Sequence, residues 1–240
     1  MRVLVTPDYR TLSRTAAELV IKAVRTKPDL TLGLPTGSTP SGMYEELVKT
    51  YRDERLDFSR LRTFNLDEYL GLPHDHPKSF HTYMQQNFFQ HVNVLAANIH
   101  IPDGSPGIDT DVESLRYEKS IRDAGGIDLL IVGIGANGHI AFNESGTAFD
   151  SRTRAVDLAT ETISNAKRRF GGEPVPSTAI TMGIGTIREA RRILLLASGR
   201  EKANAVERAL RGPVSVSVPA SALQLHPSVI VILDEAAKKN

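Results

Sequence analysis

The chain has 240 residues, with 29 Lys and Arg against 28 Asp and Glu, and a formal net charge of +1 creates no global field for nucleic acid or an anionic membrane. Apolar residues at 40% and charged residues at 24% are ordinary for a soluble globular protein, and the absence of cysteine excludes disulfides, thiolate metal sites and a cysteine nucleophile. A chain of this length can bury a core of its own, and no Pro/Gly/Ser-rich linker divides it, so a single α/β catalytic domain over residues 1–240 is expected.

The first element is a strand, RVLVT (2–6). The apolar run there is too short for a secretion signal, and no segment approaches the roughly eighteen apolar residues of a membrane span, so a cytoplasmic protein is expected. Leu12, Ala16, Leu19, Ala23 and Val24 then recur at helical spacing. The strand LTLGL (30–34) runs into Thr36-Gly37-Ser38-Thr39, before a helix that Thr39 is expected to cap and Pro40 to open. Free backbone N–H groups, hydroxyls and a helix dipole make this an anion site, most naturally for phosphate. It lacks the lysine of a Walker loop.

The strand LRTFNL (61–66) ends at the adjacent carboxylates Asp67 and Glu68. Neighbouring side chains on extended backbone point to opposite sides, so at most one of the two should face a ligand, as a candidate general base, and a turn acid or helix cap is the other reading. His74-Asp75-His76, just before Pro77, reads as a polar turn rather than a metal site. SFHTYMQQNFFQHV and DVESLRYEKSIRDAGG are helical, with the strand NIHI (98–101) between them.

IDLLIVG (127–133) lacks alternation, as a strand covered on both faces does. It leads into GIGANGHIAFNE (133–144). The pattern G-x-G-x-x-G is that of a dinucleotide turn, but no amphipathic helix follows the third glycine, so the fingerprint's context fails. The loop instead presents Asn137, His139 and Glu144 together: an imidazole beside an amide and a carboxylate, which is an acid–base arrangement.

RAVDL (154–158) reads as a strand, and Thr160 to Thr178 as a helix-containing loop carrying the basic run Lys167-Arg168-Arg169. The strand RILLLA (192–197) ends at Ser198-Gly199, which places Lys202 at another strand end, within reach of the same anion. The helix REKANAVERALRG, a structural His226 and the strand SVIVIL (228–233) close the chain. Strand–helix alternation of this kind predicts an α/β fold with a mostly parallel sheet, and ligands bind such sheets beyond the carboxyl ends of the strands.

Taken together, PTGSTP, NLDEYLGLP, GIGANGHIAFNE, SRTR, TAITMGIGT and LQLHP resemble the glucosamine-6-phosphate deaminases, over nearly the whole chain. The resemblance implies a three-layer, Rossmann-like α/β fold with helices on both faces of a mostly parallel sheet. It also implies conversion of glucosamine 6-phosphate and water to fructose 6-phosphate and ammonia, with no metal and no organic cofactor. Asp67 matches the base that moves a proton between C2 and C1. His139 matches the histidine that opens the sugar ring, supported by Glu144 and by position 137, where this chain has Asn137 and some members have aspartate. Thr36, Gly37, Ser38 and Thr39 would hold the phosphate, with Arg168 and Lys202 as cations, although Lys167 and Arg169 leave that register open. The resemblance implies no nucleic-acid or membrane partner, and a monomer or small homo-oligomer is expected.

Two other functions fit the same scaffold: a 6-phosphogluconolactonase-like hydrolase, which needs no C2 base, and a sugar-phosphate sensor of a transcription regulator, for which neither terminus offers a basic recognition segment. Allosterically activated members are longer at the C-terminus and carry a lysine where this chain has Val156. Simple hyperbolic kinetics are therefore expected.

Overall fold

The computed structural model describes residues 1–239. Its strands are β1 (Arg2–Thr6), β2 (Thr31–Leu34), β3 (Arg62–Asn65), β4 (Asp67–Tyr69), β5 (Ile99–His100), β6 (Leu129–Gly133), β7 (Arg154–Asp157), β8 (Thr178–Thr181), β9 (Ile193–Ala197) and β10 (Val229–Asp234). The α-helices are α1 (Tyr9–Thr26), α2 (Ser38–Glu54), α3 (Phe80–Asn87), α4 (Thr110–Asp123), α5 (Thr160–Phe170), α6 (Ile184–Arg188) and α7 (Ala203–Arg211).

Seven strands form one sheet in the order β1-β10-β9-β6-β2-β3-β5, with every pairing parallel. The runs without alternation are covered on both faces, as expected. Leu129 and Ile131 of β6, with Leu194 and Leu196 of β9, pack with Leu12, Ala16 and Val20 of α1 and Met43 and Leu47 of α2. Leu130 and Val132, with Ile193 and Leu195, point the other way onto Tyr117 and Ile121 of α4 and Val206 and Ala209 of α7. The result is the three-layer α/β architecture with helices on both faces.

A second sheet of three strands, β4-β8-β7, is antiparallel and lies outside this frame. The strand expected over LRTFNL is present as β3, and the carboxylates that follow it open a separate strand, β4. Leu66 donates its N–H to Leu34 O in the large sheet and accepts from Met182 N at the small one, and there the chain passes from β3 to β4. RAVDL proves to be a strand of this second sheet, and β8, its central strand, had no counterpart among the expected strands. Beneath it Tyr69, Phe80, Phe142, Leu158, Phe170 and Ala179 form a small apolar cluster of their own.

The consequence for function lies in the strand order. The polar strand ends come after β9, β6, β2 and β3, which are consecutive neighbours in the parallel sheet. Parallel strands release their carboxyl ends on the same edge, so these loops open onto one crevice.

Candidate active site

That crevice holds a cavity of about 290 Å³ lined by the loop from Pro35 to Pro40, by Asp67, by Gly133 to Ala136 with His139, by one face of α5 and by Lys202. Tyr69, Phe80 and Phe142 supply its apolar wall.

The anion loop begins where β2 ends at Leu34. Gly37 has φ of +109°, a conformation open to glycine and strained for other residues, and it caps α2 without a side-chain hydrogen bond. The helix thus opens two residues earlier than expected: Gly37 rather than Thr39 is the cap, and Ser38 rather than Pro40 is the first helical residue. Proline is tolerated at the third helical position because the N–H groups of the whole first turn lack intrahelical acceptors.

Asp67 and Glu68 do face opposite ways. Glu68 is buried and turns inward: Oε1 accepts from Tyr69 N (2.9 Å) and Phe80 N (2.8 Å), and Oε2 from His81 N (2.8 Å), so it fixes the entry to α3. Asp67 lines the cavity, is only 7% exposed, and has no hydrogen-bonding partner for its carboxylate among the described residues. Burial pushes its carboxyl up to about 8, with the neighbouring Glu68 charge adding to the rise and Arg169 offsetting part of it. A carboxyl group held in this way has a high affinity for a proton, which a base acting on a carbon acid requires.

The glycine-rich loop proves to be a seat for the imidazole. A Cβ on Gly135 would lie 2.3–2.5 Å from ring atoms of His139, so the ring packs directly on that backbone. Gly135 N donates to His139 O (2.9 Å), closing the loop behind it. Asn143 is fully buried and anchors the loop's far end, donating to Ile140 O (3.0 Å) and Met182 O (2.8 Å). His139 Nδ1 lies 3.4 Å from Glu144 Oε2, an ion-pair distance at which Nδ1 completes no hydrogen bond. Asn137 joins the set: Nδ2 donates to Glu144 Oε2 (2.9 Å), and Oδ1 accepts from His139 N (3.1 Å). Burial acts to raise the Glu144 pKa, but the imidazole beside it and the hydrogen bonds from Thr162 and Asn137 hold it down to about 2. Glu144 is a fixed anion beside the histidine.

Lys202 lines the cavity, and burial lowers its pKa against the opposing charges of Glu201 and Glu161. On α5 the inward residues are Thr162, Asn165, Ala166 and Arg169, spaced i, i+3, i+4 and i+7. Arg168 lies off that stripe and is exposed. The structure therefore puts Arg169, not Arg168, at the cavity, a shift of one residue. The Arg169 guanidinium lies 4.7 Å from the Phe80 ring centre and donates to the carbonyls of Lys78 and Ser79. Thr162, which donates to Glu144, was not among the expected site residues. The turn at His74 makes protein contacts: Nε2 of His74 is 3.0 Å from Asp103 Oδ1, and His76 Nε2 is 3.6 Å from Glu173 Oε2.

Residues 9–231 match the family described as glucosamine-6-phosphate isomerases and 6-phosphogluconolactonases. The chain belongs to this family. A glucosamine-6-phosphate deaminase of Halothermothrix orenii is 53% identical over 99% of this chain and 98% of its own. A second, from Thermoanaerobacter pseudethanolicus, is 48% identical over 99% of this chain and 94% of its own. A solved monomeric glucosamine-6-phosphate deaminase superposes with a TM-score of 0.96 at 44% identity, covering 99% of this chain and 98% of that one. The 6-phosphogluconolactonase of Trypanosoma cruzi shares the fold, with a TM-score of 0.77 at 22% identity over 98% of this chain and 95% of that one.

Proposed function

We propose that this protein converts glucosamine 6-phosphate and water to fructose 6-phosphate and ammonia. The observation that carries this reading is Asp67, a buried carboxylate without a hydrogen-bonding partner among the described residues that lines the same cavity as His139. Hydrolysis of a lactone needs no base for a carbon acid, whereas an aldose–ketose isomerisation does. The near-full-length identity to deaminases supports the same choice.

On this reading the chemistry divides among this chain's own residues. The sugar phosphate is held between the N–H groups and hydroxyls of Thr36 to Thr39 and the cations Arg169 and Lys202. His139, kept in place by Glu144 and Asn137, moves a proton between O1 and O5 to open the ring. Asp67 then takes the proton from C2 and returns it to C1, while a proton passes from the ammonium to O1, leaving an alcohol at C1 and an iminium at C2. Water adds to that carbon, and ammonia departs. The substrate's ammonium beside Asp67 brings its carboxyl below the value of the empty site, favouring the ionised base when substrate is bound. The phosphate, remote from the reacting carbons, supplies orientation. The reaction is assigned to the cytoplasm, where phosphorylated sugars are retained by their charge, and to a monomer or small homo-oligomer.

Incubation with glucosamine 6-phosphate and a chelator should release ammonia and fructose 6-phosphate in equal amounts. Acid release from 6-phosphogluconolactone without ammonia release from the amino sugar would overturn the assignment.

A further inference from the structure

Four peptide carbonyls in and beside the anion loop each accept a hydrogen bond from a side chain of another part of the chain. Leu34 O accepts from Asn65 Nδ2 at 3.1 Å, and Pro35 O from the Tyr44 hydroxyl at 2.5 Å. Gly37 O accepts from the Tyr83 hydroxyl at 2.7 Å, and Ser38 O from the Tyr9 hydroxyl at 2.8 Å. The donors come from β3, α2, α3 and the start of α1, so four elements converge on one short loop.

A trans peptide holds its C=O and N–H in opposite directions. Holding the carbonyls of Pro35, Gly37 and Ser38 outward therefore directs the N–H groups of Thr36, Ser38 and Thr39 the other way. Those three residues line the cavity, and among the described residues none of the three N–H groups donates to a protein acceptor. A single peptide flip would turn a carbonyl oxygen toward the anion and replace attraction with repulsion. We propose that Tyr9, Tyr44 and Tyr83 are positioning residues that preset this loop for a phosphate group. The proposal rests on reading Thr36 to Thr39 as the phosphate site.

Each phenol suits the task. Tyr44 is fully buried, Tyr83 is half-buried, and burial raises the pKa of both, keeping them proton donors. Tyr9 does more than donate, because its oxygen also accepts from Gly42 N at 2.9 Å and lies 3.1 Å from Ser41 Oγ. It thereby clamps both ends of the first turn of α2. Tyr83 also lies beneath the Arg169 guanidinium, 5.9 Å from its ring centre, and so couples the loop to a cation across the cavity.

The test uses Tyr9→Phe, Tyr83→Phe and the double variant, which keep the rings and remove only the hydroxyls. Each single change should raise KM for glucosamine 6-phosphate, and Ki for inorganic phosphate as competitor, by roughly three- to tenfold, with kcat within about twofold. The double variant should show a larger rise, and turnover of unphosphorylated glucosamine should not change. Thermal melting checks that each variant is folded. A folded double variant whose phosphate Ki stays within twofold of wild type overturns the proposal, as does a loss confined to kcat. Lys202→Ala separates the two readings: if it too leaves phosphate Ki unchanged, the phosphate site itself is misplaced. If it weakens phosphate while the tyrosine variants do not, only the positioning role fails.

Discussion

The side-chain amide of Asn137 donates to Glu144 Oε2 at 2.9 Å while its oxygen accepts the backbone N–H of His139 at 3.1 Å. Asparagine has both a donor and an acceptor, and here each is used to join the anion to the imidazole that it supports. An aspartate at this position would set a second carboxylate against Glu144, and such a pair shares a proton. Asn137→Asp should therefore keep activity near pH 8 and add an ionisation to the kcat–pH profile above the ordinary carboxylate range. Asn137→Ala should lose about tenfold in kcat, the worth of one hydrogen bond to a charged group. An Asn137→Asp profile superimposable on wild type would show that the amide does not bear on the Glu144 charge.

Asp67 gives a pH prediction with a definite sign. Its folded pKa of about 8 stands above the ordinary 3.8, and a base must be ionised to act. Wild-type kcat/KM, which reports the free enzyme, should fall as pH drops through about 8, with the limb in kcat displaced to lower pH by the substrate's positive charge. The same shift bears on stability. Between the ordinary value and about 8 the folded state holds a proton that the unfolded state has lost, so this group's contribution to stability declines as pH rises through that window. Asp67→Asn should still bind substrate, lose roughly a thousandfold in kcat, and show a melting-temperature advantage over wild type that widens from pH 4 to pH 8. Near-normal incorporation of solvent deuterium at C1 of the product by this variant would remove Asp67 from the role of base.

Arg169 and Arg168 are neighbours with opposite surroundings, one lining the cavity over aromatic rings and the other exposed. Arg169→Ala should raise KM by ten- to a hundredfold with a smaller change in kcat, because an anchor on the phosphate acts on ground and transition states alike. Lys202→Ala should behave similarly, and Arg168→Ala should be close to silent. The reverse ranking of the two arginines in steady-state kinetics would place the cation back at position 168.

The parts of the site that the sequence made legible are those that depend on strand ends. A run such as IDLLIVG declares a two-sided strand by its lack of alternation, and the fold itself then places the loop after it, with His139 and Glu144, on the ligand edge. The opposite orientations of Asp67 and Glu68 come from the pleat alone. The hidden parts depend on contacts between distant segments. Thr162 matters because α5 lies against Glu144, and nothing near position 162 says so. The cap at Gly37 was missed because Thr39-Pro40 is the stronger local signal, whereas the positive φ at Gly37 is set by the tertiary path. Arg169 follows from the same contact: once Thr162 is set against Glu144, helical spacing along α5 selects 169 over 168.

Regulation turns on Arg154 and Val156. The resemblance to the glucosamine-6-phosphate deaminases implies that members activated by N-acetylglucosamine 6-phosphate hold the effector's phosphate with basic residues in this segment. Arg154 is retained, but its guanidinium is occupied within the chain: Nη1 donates to Asn143 Oδ1 (3.0 Å) and Arg152 O (3.3 Å), and Nη2 to Thr147 Oγ1 (3.4 Å). Asn143 is the buried anchor of the glycine-rich loop, so releasing Arg154 to an effector would disturb His139 and Glu144 rather than tune them. Val156 lies on β7 and packs against the apolar cluster around Tyr69 and Phe170, where it offers no charge to a phosphate. One committed cation and one valine leave an effector little charge-assisted bonding to gain. An effector shifts an equilibrium only by its differential affinity for two states, and weak binding to both shifts nothing. Rates should therefore trace a hyperbola in glucosamine 6-phosphate, unchanged by N-acetylglucosamine 6-phosphate at concentrations that do not compete at the active site. A sigmoidal curve that becomes hyperbolic on adding that compound would mean that Arg154 exchanges its internal partners for the effector.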